Sequence, residues 1–254
     1  MAARKTRRAK RPRKSMAQRG GADPLMGRTA KTADLIIARY KEDLGWLQEH
    51  AHKFRRVIIY NKGPHMMCPT NIKNCVIKTL PNVGVCDHTY LYHIVHSYND
   101  LADITVFVPA SADLYHKKPR LERVIRLALQ GKPALFGFHV GNLREHQKGF
   151  QLSVHEVTDP DNKEVGESYR LAMATPRPFG NWMDTYLPGS KCPYVTYIGL
   201  FALSKDMIHK HEVGFYKPFL DQLSHDKYPE AAHYMERAWA ALMWPFPPQY
   251  FHTS

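Results

Sequence analysis

Short runs rich in β-branched residues, separated by amphipathic stretches, constrain this chain more than any other feature. Leu35-Ile36-Ile37-Ala38, Val57-Ile58-Ile59 and Val106-Phe107-Val108 have strand length and fall far short of the roughly 20 apolar residues that a membrane helix needs. The pattern predicts a strand over residues 35–40 and a helix over 42–54, with Leu44, Leu47 and Ala51 on one face. A strand over 56–60 follows, stopped by Asn61-Lys62-Gly63-Pro64, and a third strand covers 76–80. Next come a helix over residues 87–98, a strand over 104–108 ended by Pro109, and a helix over 121–130. Such alternation predicts an α/β fold of βαβ units around a mainly parallel central sheet with flanking helices. Ligands of such sheets bind beyond the carboxyl ends of the strands.

Residues 134–193 are irregular and rich in Pro and Gly, which predicts peripheral strands and a long loop. The last third reads as helical. Ser204 can cap a helix over 205–210, a second spans 215–223, and a third spans 230–243 before Pro245, Pro247 and Pro248.

Charge divides the chain in two. Residues 1–33 hold eleven Lys and Arg against Asp23 alone, a net +10 of the chain's +13. The segment from residue 34 onward carries 25 basic and 22 acidic groups and is close to neutral. With only Met16, Leu25 and Met26 as larger apolar side chains, the first 33 residues read as a basic, disordered arm ahead of an α/β domain over 34–254. Arg7, Arg8, Lys10, Arg11, Arg13 and Lys14 suit a polyanion, an import receptor, or an acidic protein or membrane surface. No aromatic residue is interleaved for base stacking, so any nucleic-acid contact there would be electrostatic. No apolar segment follows the basic residues as in a secretory signal. The expected location is therefore cytoplasmic or nuclear, or a virion if the source is viral.

The four cysteines form no C-x-x-C pair and read as free thiols. The spacings of His65, Cys68, Cys75, Cys86 and His88 match none of the usual zinc patterns.

Several segments carry a resemblance. Ala38-Arg39-Tyr40-Lys41-Glu42-Asp43-Leu44-Gly45-Trp46-Leu47 resembles the motif ARYNEDLxWL, and Val57-Ile58-Ile59-Tyr60-Asn61-Lys62-Gly63 resembles VxVYNKG. Leu80-Pro81-Asn82-Val83-Gly84 followed by His88-Thr89-Tyr90-Leu91 resembles LPNVGREsHTYL, and Met235-Glu236-Arg237-Ala238-Trp239 resembles LERxW. In this order the segments resemble an uncharacterised family associated with glycosyltransferase-like domains of the single Rossmann-like, GT-A fold, with members in cellular organisms and large DNA viruses. The resemblance covers residues 34–108 and 194–244.

It implies that Arg39, Tyr40, Glu42, Asp43, Asn61, Lys62, Gly84, Asp87 and His88 hold a nucleotide sugar. Glu236 would act as acid, base or acceptor-orienting group, with His116 or His88 nearby. Turn and cap chemistry explains the same residue types equally well: Glu42 and Asp43 also suit a first helical turn, and Asn61-Lys62-Gly63 a plain turn. Glycosyltransferases of this fold carry an Asp-x-Asp after the fourth strand for a divalent metal. Here that place reads Pro109-Ala110-Ser111-Ala112-Asp113, and the literal Asp159-Pro160-Asp161 falls in an expected hairpin tip. The family's FLQG is also absent, and its Gly-Arg-Glu is replaced by Gly84-Val85-Cys86-Asp87. Three roles therefore stay open: a transferase, a non-catalytic structural or assembly protein such as a virion component, and a nucleic-acid-associated protein anchored by the arm.

Overall fold

The computed structural model describes residues 31–157 and 165–253. The basic cluster from Arg7 to Lys14 and the Asp159-Pro160-Asp161 triplet lie outside the described residues.

The first strand, β1 (Ala33–Arg39), is buried along almost its whole length. Its side chains alternate between two cores, as strand pleating requires. Leu35 and Ile37 join one cluster, while Ile36 and Ala38 join the other. A strand covered on both faces tolerates an unbroken apolar run, which is why ADLIIAR shows no polar alternation. β2 (Arg56–Asn61) and β3 (Cys75–Thr79) extend the sheet in parallel on one side of β1, and β4 (Ile104–Pro109) pairs in parallel on the other. The full order is β3-β2-β1-β4-β9. The last strand, β9 (Phe201–Ser204), runs antiparallel to β4 with Phe107 opposite Phe201. This is a mixed α/β fold with a mostly parallel central sheet.

One face is covered by α1 (Val85–His96), α4 (Phe179–Tyr186), α6 (Val213–Gln222) and α7 (Glu230–Met243). Residues 44–54 and α2 (Lys118–Leu129) cover the other. Three smaller strands, β5 (Leu135–His139), β8 (Tyr194–Thr196) and β10 (Phe251–Thr253), form a second sheet. β6 (Val154–Glu156) and β7 (Ser168–Arg170) pair as a hairpin; the short helices α3 (Leu143–Gln147) and α5 (Lys205–Ile208) complete the set. Ser204 caps α5 by accepting from the Met207 N–H.

Three expectations are corrected. The helix over 42–54 is two 3-10 turns, Gly45–Glu49 and Ala51–Lys53. Leu44, Leu47 and Ala51 are buried as their spacing implied. However, the Glu42 carboxylate accepts from the N–H groups of Tyr40 and Lys41, and that of Asp43 from Gly45, so a tight turn takes the place of a first helical turn. Second, Cys68 and Cys75 form a disulfide across the loop into β3, leaving Cys86 and Cys192 as free thiols. Third, the irregular middle contains two α-helices, α3 and α4, the second beginning directly after Pro178. No helix among the described residues is long and apolar enough to cross a membrane.

Candidate functional site

The chain leaves β3 through α1 and returns as β4 on the far side of β1. The order of strands therefore reverses between β1 and β4, and their carboxyl ends border the crevice where open α/β sheets bind ligands. Two groups of side chains gather there.

The first group is at the ends of β1 and β2. Arg39 donates to Asn61 Oδ1 (2.8 Å) and, through Nε, to the Glu42 carbonyl (2.9 Å). Asn61, almost fully buried, donates in turn to the carbonyls of Gly63 and Pro64. Tyr40 is exposed, with the ammonium groups of Lys41 and Lys227 within 6 Å of its ring centre. Asp43 is exposed. Arg39, Glu42 and Asn61 thus meet, but largely by satisfying one another and the local backbone.

The second group surrounds the start of α1. Lys62 continues from Asn61, and its buried ammonium donates to the carbonyls of Val83 (2.6 Å) and Val85. Burial lowers its pKa to about 8, against the pull of Cys86 and Asp87. Asp87 is buried; its carboxylate accepts from Trp239 Nε1 of α7 at 2.7 Å and from the Cys86 thiol at 3.6 Å. Burial, reinforced by the nearby Glu236 charge, pushes Asp87 up to about 7, while its hydrogen bonds and Lys62 oppose the shift. Burial and the neighbouring Asp87 charge push the Cys86 thiol upward as well. Glu236, on the preceding turn of α7, keeps 28% of its side chain exposed and accepts from the Ile198 N–H at 2.8 Å. His88 is buried with Nδ1 unpartnered, and burial lowers its pKa to about 4. His116 lies apart from this group in sequence, exposed on the loop after β4.

The backbone is strained here at two points. Val85 (φ 50°) and Ile198 (φ 77°) are the non-glycine residues in the left-handed region among the described residues. For a β-branched residue this costs about 1–3 kcal/mol and persists only where surroundings impose it. Each adjoins a glycine that is also left-handed, Gly84 and Gly199. A Cβ on Gly84 would stand 2.4 Å from the Leu223 carbonyl, and one on Gly199 would stand 3.1 Å from Cys86 Sγ. The first turn is therefore packed against Leu223 and the second against the Cys86 thiol. Nothing local marks Ile198 in the sequence, and although Trp239 stands in the LERxW-like segment, nothing there pairs it with Asp87. Two shallow surface hollows, beside Lys217 and Ser224 and between Leu187 and Trp244, include none of these side chains.

The residues present do not fit a divalent cation at the end of β4. That segment offers one carboxylate, the exposed Asp113. Among the described residues no three His, Cys, Asp or Glu side chains gather as metal ligands.

A mostly parallel central sheet with helices on both faces defines a mixed α/β domain. The chain belongs to the family described as protein of unknown function DUF3431, which matches residues 35–249. No curated protein matches the chain.

Proposed function

We propose that this domain is glycosyltransferase-like, of GT-A type, and holds a nucleotide sugar across the carboxyl ends of β1, β2 and β4. The observation carrying this reading is the meeting of Lys62, Asp87 and Glu236 where the strand order reverses. A buried carboxyl tuned to about 7 within electrostatic range of a second, partly exposed carboxylate is an arrangement that acid–base sites use. In this reading Glu236 faces the acceptor as base or orienting group. Asp87, fixed by Trp239, holds the α1 turn, and the ends of β1 and β2 take the nucleoside.

The test is release of nucleoside diphosphate from a panel of nucleotide sugars. Glu236→Gln keeps the acceptor for the Ile198 N–H, so folding should survive. Turnover should fall about 10²–10⁴-fold, the usual contribution of a general acid or base, with nucleotide-sugar affinity nearly unchanged. Equal turnover in both proteins would remove Glu236 from the chemistry.

One observation favours the second reading, a non-catalytic assembly or nucleic-acid-associated protein. Arg39, Glu42 and Asn61 are already bonded within their own turns, as expected where a fold is kept without its ligand. Release from no nucleotide sugar, with retained binding of nucleic acid, would favour it.

A further inference from the structure

The guanidinium of Arg120 has no counter-ion among the described residues. It stands in the first turn of α2, half-buried, 5.6 Å from the centre of the Phe136 ring. Its hydrogen bond is a long one, 3.5 Å from Nη1 to the Tyr197 carbonyl. Burial lowers its pKa, and no carboxylate acts against that. Of the charged groups that follow on the same helix, Arg123 and Arg126 are cations, and the carboxylate of Glu122 makes no ion pair with Arg120. Leaving a half-buried charge unpaired is costly, so such groups are ordinarily paired or ligand-bound.

Its position gives that missing anion an identity. Tyr197 leads into the strained turn whose Ile198 N–H binds Glu236. Because β9 runs antiparallel to β4 from Phe201 opposite Phe107, residues 197–200 lie at the carboxyl end of β4. The loop leaving β4 brings Ser111, which accepts from Lys117 Nζ at 3.1 Å, one turn before Arg120. We propose that Arg120, with Lys117 one turn before it on the chain and the Ser111 hydroxyl that Lys117 reaches, holds the diphosphate of the nucleotide-linked donor and supplies the positive charge that a metal held by paired carboxylates supplies in glycosyltransferases of this fold. This rests on the nucleotide-sugar reading above. A guanidinium offers a planar fork of donors to phosphate oxygens, which makes it apt for that task.

The test is calorimetric titration of the full chain with inorganic pyrophosphate, UDP and GDP, in EDTA and in manganese, at fixed salt. Arg120→Met is compared with Arg126→Met, a control six residues along the same helix that leaves any binding by the basic arm intact. Pyrophosphate and at least one nucleoside diphosphate should bind in EDTA. Arg120→Met should weaken both by about tenfold or more, the scale of one charge-assisted contact, while Arg126→Met stays within about twofold. Arg120→Met should not lower the melting temperature, because it removes an unpaired charge; a merely structural arginine would lower it. Nucleoside diphosphate binding that needs manganese, or that ignores Arg120→Met, overturns the proposal and leaves the nucleotide-sugar reading standing. Pyrophosphate bound through Arg120 with no nucleoside diphosphate bound supports the anion site and overturns that reading. Binding of none of the three overturns both.

Discussion

Replacing Glu230 with alanine is expected to destabilise the domain by about 3–4 kcal/mol, the scale of breaking a buried ion pair from one side. Glu230 opens α7 with no exposed surface. Its carboxylate accepts from the backbone N–H groups of Leu152 (2.7 Å) and Ala174 (3.0 Å), from Tyr234 Oη (2.9 Å) and from Arg177 Nη2 (3.1 Å). Arg177 Nε also lies 3.1 Å away, at an angle that makes an ion pair without a hydrogen bond. Truncation orphans all these donors at once, around a carboxylate that has no exposed surface. Arg177 remains a quarter exposed and recovers some hydration, which holds the loss below the top of the usual range. The measurement is denaturant unfolding of wild type, Glu230→Ala and Glu230→Gln, with glutamine recovering part of the loss by keeping one acceptor. A loss below about 1 kcal/mol for alanine would mean that the irregular segment around Leu152 and Ala174 is anchored elsewhere.

The second large effect is one of pH. The carboxyl of Asp87 is raised in the folded chain from 3.8 to about 7, chiefly by burial. Between these values the folded state holds a proton that the unfolded state has lost. This contribution to stability is therefore fully present below about pH 4, falls as pH rises through 7, and is absent above it. The change amounts to a few kcal/mol, since each tenfold gain in proton affinity is worth about 1.4 kcal/mol. Buried His88 and His93 act oppositely in the acid range. Their pKa values are lowered to about 4 and about 3, so stability is lost as pH falls through those values. Lys62, lowered to about 8, adds stability only as pH rises above that point. Asp87→Asn isolates the carboxyl's part, since asparagine mimics the protonated form and can still accept from Trp239. The variant should melt closest to wild type near pH 4 and increasingly above it as pH rises to 8.5. An equal gap at both values would mean that Asp87 is charged throughout.

How far the sequence exposes this architecture depends on whether the determining interactions are local. β1, β2 and β4 are legible because strands buried on both faces need unbroken β-branched runs, and ADLIIAR, RVIIYN and ITVFVP supply them. α7 is legible because its apolar side chains repeat at helical spacing over fourteen residues between Pro229 and Trp244. By contrast, residues 44–54 carry a helical apolar spacing that two carboxylates divert into turns, and the periodicity alone cannot register that competition. β9 follows no strand-length β-branched run; four residues pair with β4 only because the core fixes them there. The Cys68–Cys75 pairing depends on how the loop folds back before β3.

The site divides in the same way. Arg39, Asn61, Lys62 and Asp87 are marked by standing just after strands or at a helix start, where α/β sheets place ligand contacts. What gives Asp87 its character is Trp239, 152 residues away, together with the charge on Glu236. Arg120 escapes notice for a related reason. In sequence it is one more cation on a basic helix, and only its burial without a carboxylate singles it out.

The most direct test of nucleotide-sugar binding at the switch point is backbone hydrogen–deuterium exchange of the full chain, alone and with UDP-, GDP-, ADP- and CMP-linked sugars. At least one donor should slow exchange in the turns that close the switch point: residues 39–45, 61–63, 84–88, 110–120 and 197–199. The opposite end of the sheet, where Asp34 is held by Arg55 and Arg56, should stay unchanged. Protection confined to other surfaces, or no change with any nucleotide sugar, would contradict it.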